Sequence, residues 1–263
     1  MNNFIPAKKS LGQNFLHDET ILNKIANSCN TSPSDLIIEI GPGKGALTKY
    51  LIKKDSYLIC YEIDERMQPI LNSLINNKTR IIYKDFLKTD IENDIKDIKH
   101  ENIYIIANIP YYITTPIIKH VINLPRLKSM TLLVQKEVAE RFSALPNSKA
   151  YGSLTVYLNY YFDINYLFDV KNTSFTPAPK VDSAVINFTK KEIKYDLKDE
   201  NLFFKLVEDA FKMKRKTLKN NLKEYNWSKI EKVLITHNLP TSIRAEQVSL
   251  ELFIEIANIL KEK

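Results

Sequence analysis

Glycine is scarce in this 263-residue chain: there are five, and three of them fall in one short stretch, Gly41, Gly43 and Gly45. Cysteine is scarcer still. Cys29 and Cys60 stand far apart, and neither belongs to a C-x-x-C pair. That excludes a disulfide framework, argues against a structural zinc site and fits a reducing, cytoplasmic compartment. No run of about 18 consecutive apolar residues occurs, so no membrane-spanning helix is expected. Met1 to Lys9 lack an apolar core, so no secretory signal is expected there. What remains is ample for a real core: 44% of residues are apolar, enough for one large domain or one large and one small. Lysine and arginine number 38 against 31 acids, a formal charge of +7. That balance favours a polyanionic partner, although solubility alone also explains a moderate excess.

The glycines lie where a chemical site would be built. An apolar run, Leu36-Ile37-Ile38, leads into Glu39-Ile40-Gly41-Pro42-Gly43-Lys44-Gly45, and a helical pattern follows from Ala46 to Leu51. That reads as strand, glycine turn, helix. A turn of this kind at the carboxyl end of the first strand of a doubly wound sheet is where nucleotide-like ligands bind. A dinucleotide fingerprint spaces its glycines G-x-G-x-x-G, which would put the third at position 46; here that residue is Ala46, and the pattern is G-x-G-x-G. The tighter form suits a ligand without a pyrophosphate and resembles motif I of S-adenosylmethionine-dependent methyltransferases. Standing alone, it is also compatible with an ordinary strand-to-helix turn.

It does not stand alone. A second strand over Tyr57–Tyr61 ends in Glu62, 21 residues past Gly41. An acid about 20 residues on, at a strand tip, accepts hydrogen bonds from ribose hydroxyls. A third strand over Arg80–Tyr83 is followed by Asp85, placed to accept from the adenine amine of such a cofactor. Singly, Glu62 and Asp85 could be solvated turn acids; in succession at one sheet edge they form a pattern. A fourth strand, Ile103–Ala107, ends in Asn108-Ile109-Pro110-Tyr111. The exocyclic amine of adenine is a poor nucleophile because its lone pair is delocalised into the ring. Two acceptors on its hydrogens draw the nitrogen toward a tetrahedral, attacking geometry. Asn108 offers a side-chain carbonyl, and the backbone of Ile109 or Pro110 a second. Pro110 stiffens the turn, and Tyr111 presents a flat face for an extruded base.

Further along, Asp18 is a candidate cap for an amphipathic helix through Ile21, Leu22, Ile25 and Ala26. Gln13 and Asn14 read either as a surface loop or as an N-terminal flap, residues 1–18, over the glycine turn. Pro116 opens a helix, and a fifth strand over Met130–Val134 precedes a helix through Val138, Ala139 and Phe142. Residues 143–152 read as a loop. Leu154, Val156, Leu158, Tyr160, Phe162 and Ile164 recur at every second position, which predicts a long strand; Val181–Phe188 is another, and the two close the sheet with an antiparallel edge. Residues 190–201 are charged and read as a linker. Helices follow over 202–211, 217–222, 227–236 and 250–260, the last with Ser249 as its cap. Residues 211–219 carry Lys212, Lys214, Arg215, Lys216 and Lys219 and no acid, which is either a solvated helix face or a phosphate-contacting patch.

Asn108-Ile109-Pro110-Tyr111 is similar to the motif of methyltransferases that modify adenine amines. With Gly12-Gln13-Asn14-Phe15-Leu16, the glycine turn, residues 134–141 and residues 175–183, it resembles the bacterial small-subunit (16S) ribosomal RNA adenine dimethyltransferase family, from about residue 8 to about residue 250. Tyr112 departs from the small polar residue expected there. The resemblance implies an α/β fold, a Rossmann-like class I S-adenosylmethionine-dependent methyltransferase sheet over residues 1–190, with a small C-terminal helical, RNA-contacting domain over 191–263. It implies S-adenosyl-L-methionine as methyl donor, held by Asn14, Leu16, Gly41, Gly43, Glu62, Asp85 and Asn108. Asn108, Pro110, Tyr111 and Phe175 form the target-adenine site, with Lys212, Lys214, Arg215, Lys216 and Lys219 on the RNA. The implied partner is 16S rRNA in the small ribosomal subunit or its precursor; from the composition no metal and no membrane are expected, the compartment is cytoplasmic, and a monomer is the default. A lone Phe175 would otherwise be read as core. Three alternatives stay open: the macrolide-resistance 23S rRNA methyltransferases, a DNA adenine methyltransferase, for which no target-recognition insert is evident, and a non-catalytic small-subunit assembly factor.

Overall fold

The computed structural model describes residues 5–109, 113–192 and 195–262. Its packing divides the chain into two units. Residues 1–139 and 165–190 form the first; Glu140–Ile164 and Lys191–Lys263 form the second. This differs from a single cut at residue 190, because a 25-residue segment interrupts the first unit and clusters with the C-terminal helices.

The first unit is built on a sheet. Its strands, in chain order, are β1 (Phe15–Leu16), β2 (Leu36–Ile40), β3 (Tyr57–Glu62), β4 (Thr79–Tyr83), β5 (Ile103–Asn108), β6 (Leu127–Gln135), β7 (Phe162–Val170), β8 (Phe175–Thr176) and β9 (Ser183–Lys190). Seven of them assemble in the order β4-β3-β2-β5-β6-β9-β7. β2, β3, β4, β5 and β6 pair in parallel, while β9 runs antiparallel to β6. β2 is central and buried at all five positions, which is why it reads as a continuous apolar run rather than an alternating one. Parallel pairing carries the chain from each strand end back over the sheet, so β2, β3, β4 and β5 present their C-terminal tips along one edge. The remaining two strands, β1 and β8, pair with each other as a separate antiparallel ladder, with Leu16 opposite Phe175 and Phe15 opposite Thr176.

Most sequence expectations in this unit correspond to elements. Asp18 caps the helix Glu19–Ala26, its carboxylate accepting from the Ile21 N–H at 3.1 Å. The alternation over 154–164, in the segment that clusters with the second unit, does not form one long strand. Ser153–Tyr161 is a helix, and β7 begins only at Phe162. The residues between the alternating ones are themselves side chains that pack: Thr155 is buried, and Tyr157 and Tyr161 meet one turn apart with ring centroids 5.3 Å apart. Gly152 donates its N–H to Thr155 Oγ1 at 3.3 Å, supporting the helix start. An apolar set at every second position therefore coexists with helix because both sets have partners. The β9–β7 pair does lie at the sheet edge.

The second unit is helical. Glu200–Ala210, Leu218–Asn221, Trp227–Thr236 and Leu250–Lys261 surround a core that includes Phe203, Leu206, Leu234, Phe253 and Ile256, and Tyr151 and Val156 of the inserted segment belong to it. Ser249 caps the last helix by accepting from the Leu252 N–H at 3.2 Å. Tyr195 and Leu197, in the expected linker, pack against this core. Among the described residues, no helix is long and apolar enough to cross a membrane.

Candidate active site

A cavity of about 570 Å³ opens at the C-terminal tips of the central strands. The N-terminal segment from Leu11 to His17, the glycine turn, Glu62 and Asn108 all line it. The glycine turn, Glu62 and Asn108, far apart in sequence, thus share one wall because the parallel strands deliver their ends to one place.

The glycine turn is shaped by two contacts. Gly43 has φ +55, and a Cβ there would sit 3.1 Å from the Phe15 ring. Its N–H donates to Glu62 Oε2 at 2.9 Å, so turn and acid are tied together. Gly45 has φ +74, and a Cβ there would come within 2.6 Å of Leu74 Cδ1. The third glycine therefore serves close packing one position earlier than in the dinucleotide fingerprint, and Ala46 lines the cavity instead.

Glu62 is 3% exposed, and its Oε1 accepts from the Asp64 N–H at 2.8 Å. Burial pushes its carboxyl above the ordinary range, against the pull of the backbone N–H groups that bind it. Asp64 goes the other way: the Arg66 guanidinium, 2.6 Å away, holds it down at about 2. Gln13 Nε2 also donates to Asp64 at 2.8 Å, while Gln13 Oε1 accepts from the Lys8 N–H at 2.8 Å. Gln13 is thus a latch between the N-terminal segment, whose residues Leu11 to His17 line the cavity, and the tip of β3. The sequence signal for Gln13 was only its polarity between Leu11 and Phe15.

Glu39 lies within β2 and has no expected site role. It is 1% exposed, lines the cavity, and burial raises its carboxyl to about 7. The Cys60 thiol donates to its Oε2 at 3.4 Å. An acid inside an otherwise apolar strand run was the available signal.

The other expected site residues distribute as follows. Asn14 lines the cavity, its Nδ2 donating to the Gly12 carbonyl at 3.2 Å. Leu16 lines it as well and is buried. Asn108 ends β5 on the same wall, and the Cβ position of Gly41 lies 3.5 Å from its backbone oxygen. Asp85 follows β4, accepts from the Leu87 N–H at 3.1 Å and does not reach the cavity wall. Phe175 is 4% exposed and packs in the core cluster that contains Leu16, Leu133 and Val185; its neighbour Thr176 lines the cavity. Pro110, Tyr111 and Tyr112 lie outside the described residues. Lys212, Lys214, Arg215 and Lys216 are exposed in the turn joining two helices of the second unit, not on a helix face. Asn221 fixes that turn, donating to the Ala210 carbonyl at 2.7 Å and accepting from the Met213 N–H at 3.1 Å. Lys219, exposed on the next helix, lies over the Trp227 ring at 5.4 Å. Among the described residues no group of three or more His, Cys, Asp or Glu could hold a metal ion.

Two buried carboxyls facing a cavity of this size suit a cationic ligand that carries hydroxyls, and the antiparallel β9 set beside β6 departs from an all-parallel nucleotide-binding sheet. Together they define a Rossmann-like methyltransferase. Solved structures share the fold: a dimethyladenosine transferase from Plasmodium falciparum superposes with a TM-score of 0.76 at 26% identity, covering 92% of this chain and 95% of that one. The 23S rRNA methyltransferase ErmE gives 0.74 at 24% identity, covering 95% and 100%. The family model for ribosomal RNA adenine dimethylase matches residues 5–262, so the chain belongs to that family and is an rRNA adenine dimethyltransferase. It is 41% identical to ribosomal RNA small subunit methyltransferase A of Streptococcus thermophilus, over 97% of this chain and 92% of the relative. It is 43% identical to the protein of the same name from Onion yellows phytoplasma, over 94% and 93%.

Proposed function

We propose that this enzyme transfers methyl groups from S-adenosyl-L-methionine to the exocyclic amines of two adjacent adenosines near the 3′ end of 16S rRNA, two to each, as a cytoplasmic monomer acting in ribosome biogenesis. The observation that carries the reading is the position of Asn108: it closes a buried strand on the same cavity wall as Gly41 and Glu62. Relatives named for the small subunit, at 41% and 43% identity, favour 16S over 23S rRNA.

The donor, when bound, supplies an electrophilic methyl on a sulfonium. Asn14, Leu16, Gly41, Gly43 and Glu62 would hold it, with Asp85 beyond the wall at the end of β4. Glu62 is fixed by two backbone N–H groups and so presents its acceptor capacity in a set direction. The Asn108 carboxamide oxygen accepts from the target amine, and the Ile109 or Pro110 carbonyl provides the second acceptor. No strong general base is required, because the methylated amine becomes acidic and loses its proton to water. Catalysis then rests on positioning and on those acceptors. Tyr111 supplies the stacking face for the flipped base. Phe175, packed behind Thr176, backs the pocket, and the exposed cations of the 212–219 turn contact phosphates.

The test is methyl transfer from labelled S-adenosylmethionine to unmodified 30S and 50S particles, with mono- and dimethyladenosine resolved. Dimethyladenosine in the 30S sample alone is expected; label in 23S rRNA would overturn the assignment. Asn108→Ala is expected to lower turnover by about 10²–10³-fold, the loss typical of removing one transition-state hydrogen-bond group, with 30S affinity retained. Retained activity would sink its catalytic role.

A further inference from the structure

The cavity has a second wall that the cofactor does not explain. Lys44 from the glycine turn and Lys49 and Lys53 from the following helical stretch line it, together with Tyr50. Lys49 and Lys53 are four residues apart across Thr48–Leu51 and Ile52–Lys54, so they project from one side. Lys44 Nζ lies 4.7 Å from the centre of the Phe15 ring and Lys53 Nζ 5.3 Å from that of Tyr50, contacts that help hold each cation in place. Some lysines of this unit pair with acids, as in Lys78–Asp55 at 2.8 Å and Lys171–Asp182 at 2.9 Å. Among the described residues, no carboxylate lies within ion-pair distance of Lys49 or Lys53.

S-adenosylmethionine carries one carboxylate against an ammonium and a sulfonium, so its net charge is positive at neutral pH. A wall of three lysines repels it overall, and its single carboxylate would occupy one of them at most. A polyanion is the occupant that such a wall favours. We propose that Lys44, Lys49 and Lys53 form a phosphate ledge at the cavity mouth that binds the RNA backbone flanking the target adenosine, a contact separate from the basic 212–219 turn. The ledge rests on the functional reading above, in that it takes RNA as the substrate. Its role is to set the register of the strand, so that one base, and not its neighbour, stands over Asn108.

The test compares wild type with the double variant Lys49→Gln/Lys53→Gln, which leaves the glycine turn intact. The readouts are affinity for unmodified 30S subunits across a potassium chloride series at fixed magnesium, S-adenosylmethionine affinity by calorimetry, and steady-state methylation. The salt slope should fall by about 1.4, roughly 0.7 for each single-strand phosphate released. KM for 30S should rise several-fold with kcat and cofactor affinity unchanged, and Lys49→Arg/Lys53→Arg should restore the wild-type values. An unchanged slope in an active, folded double variant overturns the ledge. Weakened cofactor binding with 30S affinity intact also overturns it and assigns the lysines to the cofactor carboxylate. Wild-type protein that binds 30S subunits but transfers no methyl group overturns the functional reading alone.

Discussion

On the strand side of the cavity, Glu39 and Glu62 are carboxyls almost wholly withdrawn from water, and Glu62 is pinned by backbone N–H groups. On the helical side, Lys49 and Lys53 are exposed, and Lys53 lies over an aromatic face. The acids sit deep on rigid strand tips, where desolvation makes their charge expensive and their geometry exact enough to orient a small ligand. The lysines sit at the rim, where a charge costs little and acts over a Debye length of about 8–10 Å. The contrast suits different work at the two walls under the proposed function: a small cationic ligand at the deep one and a large anion at the rim.

The largest expected effect concerns Glu39. Its folded-state value of about 7 lies above the 4.5 of an unperturbed glutamate, so the folded state keeps a proton that the unfolded chain has already lost. Stability is therefore highest at low pH and falls as pH rises from about 4.5 to about 7, by up to roughly 3 kcal/mol for this group. Glu39→Gln should remove that fall. Urea unfolding at pH 5 and pH 8 should show a smaller difference in the variant, and an unaltered difference would mean that the deep wall carries no desolvated acid. Next comes Gly45→Ala. Positive φ at a residue with a Cβ costs about 1–2 kcal/mol, and the Leu74 side chain must also yield. A lower urea midpoint is expected; an unshifted one would show that the turn has other conformations available.

Gln13→Ala probes the latch. Losing a hydrogen bond to the ionised Asp64 is worth about 1.5 kcal/mol, so S-adenosylmethionine should dissociate about tenfold faster if closure of the N-terminal segment limits its release. An unaltered off-rate in stopped flow would detach that segment from the deep wall's function. Asp18→Ala should have the smallest effect. It removes the cap of the helix that brings Glu19 and Leu22 to the cavity, for about 1 kcal/mol of stability. A change in 30S KM with that variant would mean the rim depends on this helix as well as on the lysines.

Most of the deep wall was legible in the sequence because its signals are local; Glu39, inside a strand rather than at its tip, was not. An apolar strand, a glycine turn and an acid or amide at the strand tip each occupy a few consecutive residues, and parallel topology does the gathering. The rim was not legible. Lys44, Lys49 and Lys53 are three among many lysines until the cavity singles them out. The β1–β8 pairing was hidden for a different reason: two-residue strands some 160 positions apart leave no periodicity. Phe175 packs in a core cluster, the placement expected of a lone phenylalanine, and its part in the target-adenine site remains what the motif implies. The helix at Ser153–Tyr161 was misread because period two was counted on one set of residues while the other set also found partners.

The interrupted first unit has a consequence for how the chain is made. When synthesis has passed residue 190, every strand of the large sheet has been made, but Ala144, Tyr151 and Val156 still lack the helices among which they become buried. The inserted segment must wait with apolar and aromatic surface open until Leu250–Lys261 leaves the ribosome, a delay of several seconds at 5–20 residues per second. A chain stopped at 190 would keep the cavity residues yet carry an unsatisfied adhesive patch, so the first unit cannot be cut free by trimming the tail.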